Sequence, residues 1–168
     1  MKTLISSFIS ILILLPGLFC QDMIPDELVG TWAIRLDGEG EIPSQIFRHV
    51  FSKDSDRSGT HEFYWLFKRA EDKEFTVVAA VVGDLKIEGD KFTSVLQKAG
   101  TQQKEPMVMS FYDEIHWYQK GDGMFEKFPQ QEVSFFKVDG DKLILKWDHN
   151  NDGDFEDDGE YDVFSRQK

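Results

Sequence analysis

The chain has one cysteine in 168 residues, Cys20, so no disulfide framework can staple it and no thiol pair can do redox chemistry. Basic residues are also scarce. Nineteen Lys and Arg face 31 Asp and Glu, for a formal charge of −12, and no stretch carries the cation excess that phosphate neutralisation needs. Binding of nucleic acid through a basic face is thereby excluded. No long apolar stripe recurs at helical spacing, and a chain of this length suits one domain. Local catalytic signatures are missing too: there is no Gly-x-Ser-x-Gly elbow, phosphate loop or dinucleotide fingerprint. The four histidines, at 49, 61, 116 and 149, fit no zinc spacing such as His-Glu-x-x-His. Glu114 and His116 fall two apart on one strand face, an arrangement more often a plain polar pair than an acid–base or metal site. The expectation is a non-enzyme, although a catalytic group assembled from distant strands would leave no local trace.

Aromatic residues are plentiful. With 15 Phe and 4 Trp they make up 14% of the chain, too many for disorder and enough for one filled core or a lined cavity. At the N-terminus Lys2 precedes Leu4–Leu18, which is almost wholly apolar, with Pro16-Gly17 near its end. This run of about 15 residues is shorter than the roughly 20 that a spanning helix needs, and no basic cluster follows it. It reads as a cleavable signal peptide over residues 1–20, with the mature domain over 21–168, secreted or periplasmic. The rival is a lipoprotein acylated at Cys20, against which Phe19 and Gly17 both speak. Residues 1–20 carry only Lys2, so cleavage takes the charge from −12 to −13 and removes the only thiol.

Beyond residue 28 the sequence alternates in short runs, which favours strands. Thr60–Arg69 puts His61, Phe63, Trp65 and Phe67 on one face. Further strands are expected over Phe75–Val82, Met107–Tyr118, Val133–Val138, Leu143–Trp147 and Tyr161–Arg166. Ile87–Phe92 and Val138–Leu143 share an acid-Gly-Asp-Lys pattern flanked by apolar residues. Glycine supplies the positive φ of a tight hairpin, so each predicts a two-residue turn. Ser52–Gly59 and Gly121–Gln131 read as longer polar loops, and Pro25–Leu28 as one helical turn. The expected fold is all-β, a single antiparallel up-and-down barrel of eight to ten strands.

That turn leads into Leu28-Val29-Gly30-Thr31-Trp32-Ala33-Ile34. The segment resembles the Gly-X-Trp opening strand of lipocalins and bacterial lipocalin-like proteins. The resemblance implies that Trp32 closes the barrel base against a cation near the last strand, with Arg166 as the partner and Gly30 beside it. It also implies a cup for a small hydrophobic molecule. Phe63, Trp65, Phe67, Val77, Met107, Met109 and Phe111 are the candidate lining, although plain core packing suits each of them as well. The alternative is a calcium-stabilised extracellular module that works through its surface with a filled interior.

Between Asp148 and Glu160 seven carboxylates fall in thirteen residues. The opening Asp-x-Asn-x-Asp-Gly matches the first half of an EF-hand-type calcium loop, but position twelve is Gly159 and the Glu comes one residue late. Asp148, Asn150, Asp152, Asp154 and Glu160 are candidate calcium ligands. A solvated acidic turn is the competing reading.

Overall fold

The computed structural model describes residues 22–105, 108–147 and 159–168; residues 1–21, 106–107 and most of the acidic segment lie outside these. Nine strands occur among the described residues: β1 (Gly30–Leu36), β2 (Ser44–Ser55), β3 (Ser58–Lys68), β4 (Thr76–Glu88), β5 (Lys91–Glu105), β6 (Val108–Gln119), β7 (Gln131–Asp139), β8 (Lys142–Lys146) and β9 (Tyr161–Arg166). A 3₁₀ turn, Phe125–Lys127, is the one helical element among the described residues. No described helix is long and apolar enough to cross a membrane.

All the pairings are antiparallel, and eight strands close into a barrel in the order β1-β2-β3-β4-β5-β7-β8-β9 and back to β1. β5 is forked. Its first half, Lys91–Val95, pairs with β7, while Lys98–Glu105 pairs with β6, which forms a ninth strand beside the barrel. The two Gly-Asp turns fall where the sequence puts them. Glu88 pairs with Lys91 and Asp139 with Lys142, with Gly89 and Gly140 at φ of +63° and +59°.

The stretch Ser52–Gly59 is not a polar loop. β2 runs on to Ser55 and β3 starts at Ser58, so the reversal is confined to Asp56-Arg57. Alternation continues through the polar residues because Ser52 and Lys53 keep their cross-strand partners Thr60 and Gly59. The expectations also left out β2 as a strand and most of β5.

One end of the barrel is sealed. The backbone N–H of Asp22 donates to Ile87 O at 3.0 Å and that of Ile24 to Asp56 O at 2.8 Å, so the incoming chain crosses the hairpin turns at this end. Ile24 and Leu28 are buried there with Trp32, Phe51, Phe92 and Leu143. The turn expected at Pro25–Leu28 forms, with Leu28 N–H donating to Pro25 O.

Trp32 and Arg166 meet as the resemblance implies: the guanidinium carbon lies 4.0 Å from the centre of the indole ring. Trp32 Nε1 donates to Leu28 O at 2.8 Å, and Arg166 Nη1 donates to Val29 O at 2.9 Å. Gly30 has φ of +135°, and a Cβ there would stand 2.8 Å from Arg166 Nη1, so this position has both the backbone geometry and the space of glycine alone.

Trp32→Ala is expected to destabilise the fold by roughly 3–5 kcal/mol, as deletion of a buried large aromatic does. Denaturant unfolding measures this directly. A midpoint equal to that of the parent chain would remove Trp32 from its role in the sealed end.

Candidate functional site

Above the sealed end the barrel holds a cavity of about 600 Å³. Its origin is a change of side-chain size along the strands. On β4, buried Leu85 and Ile87 give way to Ala79-Ala80-Val81 higher up, and on β5 Phe92 gives way to Ser94. These short side chains leave space beside Phe63, the cross-strand partner of Val81, and Phe47 on the next strand, and that space stays open. Leu96, Phe128, Pro129, Trp147 and Phe164 complete much of the apolar wall. Phe128 and Pro129 come from the segment that crosses from the 3₁₀ turn to β7, where Leu96 N–H ties the fork by donating to Gln130 O at 3.0 Å.

The polar lining is sparse and includes His49, Ser94, Gln131, Glu132 and Asp162. His49 on β2 and His61 on β3 are diagonal neighbours on the inner face, since His49 pairs with Phe63 and His61 with Phe51. Their rings stack with centroids 5.1 Å apart, and His49 Nδ1 lies 2.8 Å from His61 Nε2, within hydrogen-bond distance. Glu132 enters from the start of β7, opposite Ser94. Its Oε2 is 3.9 Å from His61 Nδ1, too long for a direct hydrogen bond. His61 is fully buried, and its Nδ1 has no hydrogen-bond partner.

Aromatic rings hold the two imidazoles in place. Phe63 and Phe164 lie 5.0 and 4.8 Å from His49, and Phe51 and Phe92 lie 4.8 and 5.1 Å from His61. This surround disfavours charge. Burial pushes His49 down to about 3 and, with a smaller contribution from the neighbouring His49, holds His61 well below its ordinary value. Burial pushes Glu132 up to about 7. Although 37% of its side-chain surface is accessible, Glu132 lines the cavity, so protein surrounds a carboxyl that a small molecule could still touch. The site offers two neutral imidazoles and a carboxyl poised between its two forms, with ligand atoms all within 4.8 Å of one another.

Of the expected lining, Phe63 faces the cavity. Trp65 is 40% exposed, donates from Nε1 to Gln45 Oε1 at 3.0 Å and stacks on Phe47; Phe67 and Val77 are half-buried beyond the lining. β3 keeps its alternation here, since Trp65 pairs with Phe47 and Leu66 with Ile46, so Trp65 shares the face of Phe63 but stands farther from the sealed end; the bulge beside it lies in β4, where Val78 is the extra residue. Met107 lies outside the described residues, and Met109 and Phe111 are placed only by their backbone on β6. Asp148, Asn150, Asp152 and Asp154 also lie outside the described residues, whereas Glu160 is buried just before β9, its carbonyl accepting from Trp147 N–H. Glu114 and His116 are exposed on β6, away from this cluster.

The trio escaped the sequence reading because its members are contributed by three strands. The available signal was Phe47, His49 and Phe51 alternating on one strand opposite His61 and Phe63 on the next.

Two opposed pH effects follow for the metal-free chain. The histidines are neutral when folded and titrate near 6.5 when unfolded, so the unfolded state takes up protons first as pH falls. Stability is lost below about pH 6.5, on the order of 2 kcal/mol at pH 5 for His49 alone. Glu132 acts in the other direction, because its folded value lies above its unfolded one: its contribution is present at low pH and is lost as pH rises from about 4.5 to about 7. Denaturant unfolding in chelator is expected to show that Glu132→Gln stabilises the chain at pH 8 and that the gain shrinks at pH 5. Equal gains at both values would refute the assignment.

Comparison of the chain with protein-family models, with curated proteins and with solved structures finds no match in any of the three. The chemistry of the site is therefore carried by its own residues: an apolar cup with a compact His–His–Glu cluster at its floor.

Proposed function

We propose that the protein binds and carries a small, largely hydrophobic molecule inside its barrel, in the manner of lipocalin-like proteins. The observation that carries this reading is the cavity of about 600 Å³, which falls in the range of small-molecule sites, roughly 300–1,000 Å³, and has mostly aromatic and aliphatic walls. An eight-stranded barrel is just wide enough either to be filled by its own side chains or to hold one small ligand. The small residues on β4 support the second arrangement. The Gly30-Thr31-Trp32 strand start, the turn before it and the Arg166 partner support the lipocalin-like part of the proposal.

The leader-like residues 1–20 support export, so the carrier would work outside the cytoplasm. The alternative of a surface-acting module requires a filled interior, and a cavity of this volume weighs against it.

Titration with an environment-sensitive fluorescent naphthalene probe tests the proposal. Saturable 1:1 enhancement is expected, together with a change in Trp147 emission, since that indole lines the cavity. Ala79→Phe, which puts a ring into the cavity, is expected to weaken probe binding at least tenfold while thermal unfolding stays cooperative. No enhancement, or full binding by a folded Ala79→Phe chain, would overturn the carrier reading.

A further inference from the structure

We propose that His49, His61 and Glu132 bind one divalent transition-metal cation of the zinc class at the floor of the barrel cavity. The inference does not depend on an apolar ligand occupying the space above.

Donor chemistry is the first argument. Two imidazoles and one carboxylate form a nitrogen-rich set that suits zinc-class ions, whereas calcium and magnesium take six or more oxygens. Geometry is the second. Donors around a four-coordinate ion with bonds of about 2.0–2.2 Å stand roughly 3.3–3.5 Å apart. The three groups already offer one ligand atom each, all within 4.8 Å of one another, and His61 Nδ1 to Glu132 Oε2 spans 3.9 Å. That gap is too wide for a hydrogen bond and narrower than the roughly 4.5 Å that a water spans with two hydrogen bonds of about 2.8 Å at its tetrahedral angle. An ion between the two donors fits it.

The third argument is the unpartnered Nδ1 of His61. A polar atom buried in an aromatic shell without a partner is destabilising, and buried polar atoms are rarely left so. Coordination satisfies it.

The fourth is preorganisation. Phe51 and Phe92 on one ring and Phe63 and Phe164 on the other restrict both imidazoles, so little side-chain freedom is lost on binding. His49 and Glu132 line the cavity while His61 lies buried behind them, so the cavity side is where an exchangeable fourth donor enters. Three protein ligands and one exchangeable position are the arrangement of zinc sites that act on or anchor another molecule.

The test uses the full protein, stripped with chelator and titrated with Zn²⁺ at pH 7.5 in excess Ca²⁺. Calcium is included because the acidic segment from Asp148 to Glu160, with His149 in it, is a competing place for a cation. One tightly held Zn²⁺ per chain is expected, with the imidazole ¹⁵N resonances of both His49 and His61 shifted to metal-bound positions. Co²⁺ in its place is expected to give the intense visible bands of a four- or five-coordinate site. Glu132→Gln and His61→Phe should each weaken Zn²⁺ binding at least tenfold, and Asp152→Asn with Asp154→Asn should leave it unchanged.

The ¹⁵N measurement is made on the unaltered chain, so it decides the matter even where His61→Phe folds poorly. Absence of retained Zn²⁺, unshifted His49 and His61 resonances, or binding lost only in the acidic-segment variant would each overturn the proposal. The naphthalene titration reports on the cavity alone, so failure of the metal site and failure of the carrier reading are told apart.

Discussion

The barrel closes on its shortest ladder. β1 and β9 share only two residue pairs, Trp32 with Arg166 and Ala33 with Ser165, whereas β1 and β2 share seven. Two pairs of backbone partners are a weak seam for a wall that must not open, and Arg166 reinforces it. Its guanidinium lies over the Trp32 ring and donates to carbonyls of the N-terminal turn at Val29 and Glu27. A cation over an indole contributes roughly 0.5–2 kcal/mol, the upper end applying where water is excluded. One side chain thus joins the last strand, the first strand and the segment that caps the sealed end. Glycine at position 30 follows from the same requirement, because its φ is positive and a Cβ would stand 2.8 Å from the guanidinium.

With that end sealed, the rest of the interior follows from side-chain volume. The inward residues near the seal are large, and their packing leaves no room for a guest. Farther along, β4 and β5 switch to Ala and Ser while the adjoining strands β3 and β2 keep Phe63 and Phe47. A closed barrel cannot collapse onto this deficit as a helix pair could, since its circumference is set by the strand count. The missing volume therefore persists as a cavity.

Much of this architecture is legible in the sequence, and the reason is local chemistry. Gly-Asp turns with acid and Lys flanks specify two hairpins, and Trp32 with its distant Arg166 specifies the sealed end. The candidate site is less legible because its logic is not local. Ser52–Gly59 is polar enough to pass for a loop, and reading it so separates His49 from His61 although their strands turn over at Asp56-Arg57. Once β2 is recognised, the alternation Phe47, His49, Phe51 lies opposite His61 and Phe63 without further assumptions. Glu132 is harder: nothing in Gln131-Glu132-Val133 marks it as inward, and its placement depends on the fork in β5 that lets β7 pair with Lys91–Val95. The alternation of β3 places Trp65 on the face of Phe63, but it does not say how far along the strand the cavity reaches, and Trp65 at 40% exposure stands beyond it.

The polar floor is the feature that a purely apolar carrier does not need. Phenylalanine at 49 and 61 would extend the ring stack already formed by Phe47, Phe51, Phe63, Phe92 and Phe164. It would also avoid the burial of imidazoles held neutral against their ordinary titration. Glu132 adds a carboxyl pushed up to about 7, so folding bears an electrostatic penalty at this spot near neutral pH whatever the protonation state of its neighbours. A fold retains such an arrangement at a stability disadvantage when the groups act on something in the space they face. Apolar walls select by size and shape but fix no orientation, because dispersion and hydrophobic contact are nearly indifferent to rotation. A directional donor set at one end of the cup would supply that orientation, through the cation proposed for His49, His61 and Glu132. In the arrangement proposed, the walls would hold the body of a guest and the floor its polar end, so affinity and registration would come from different residues and could be separated by substitution.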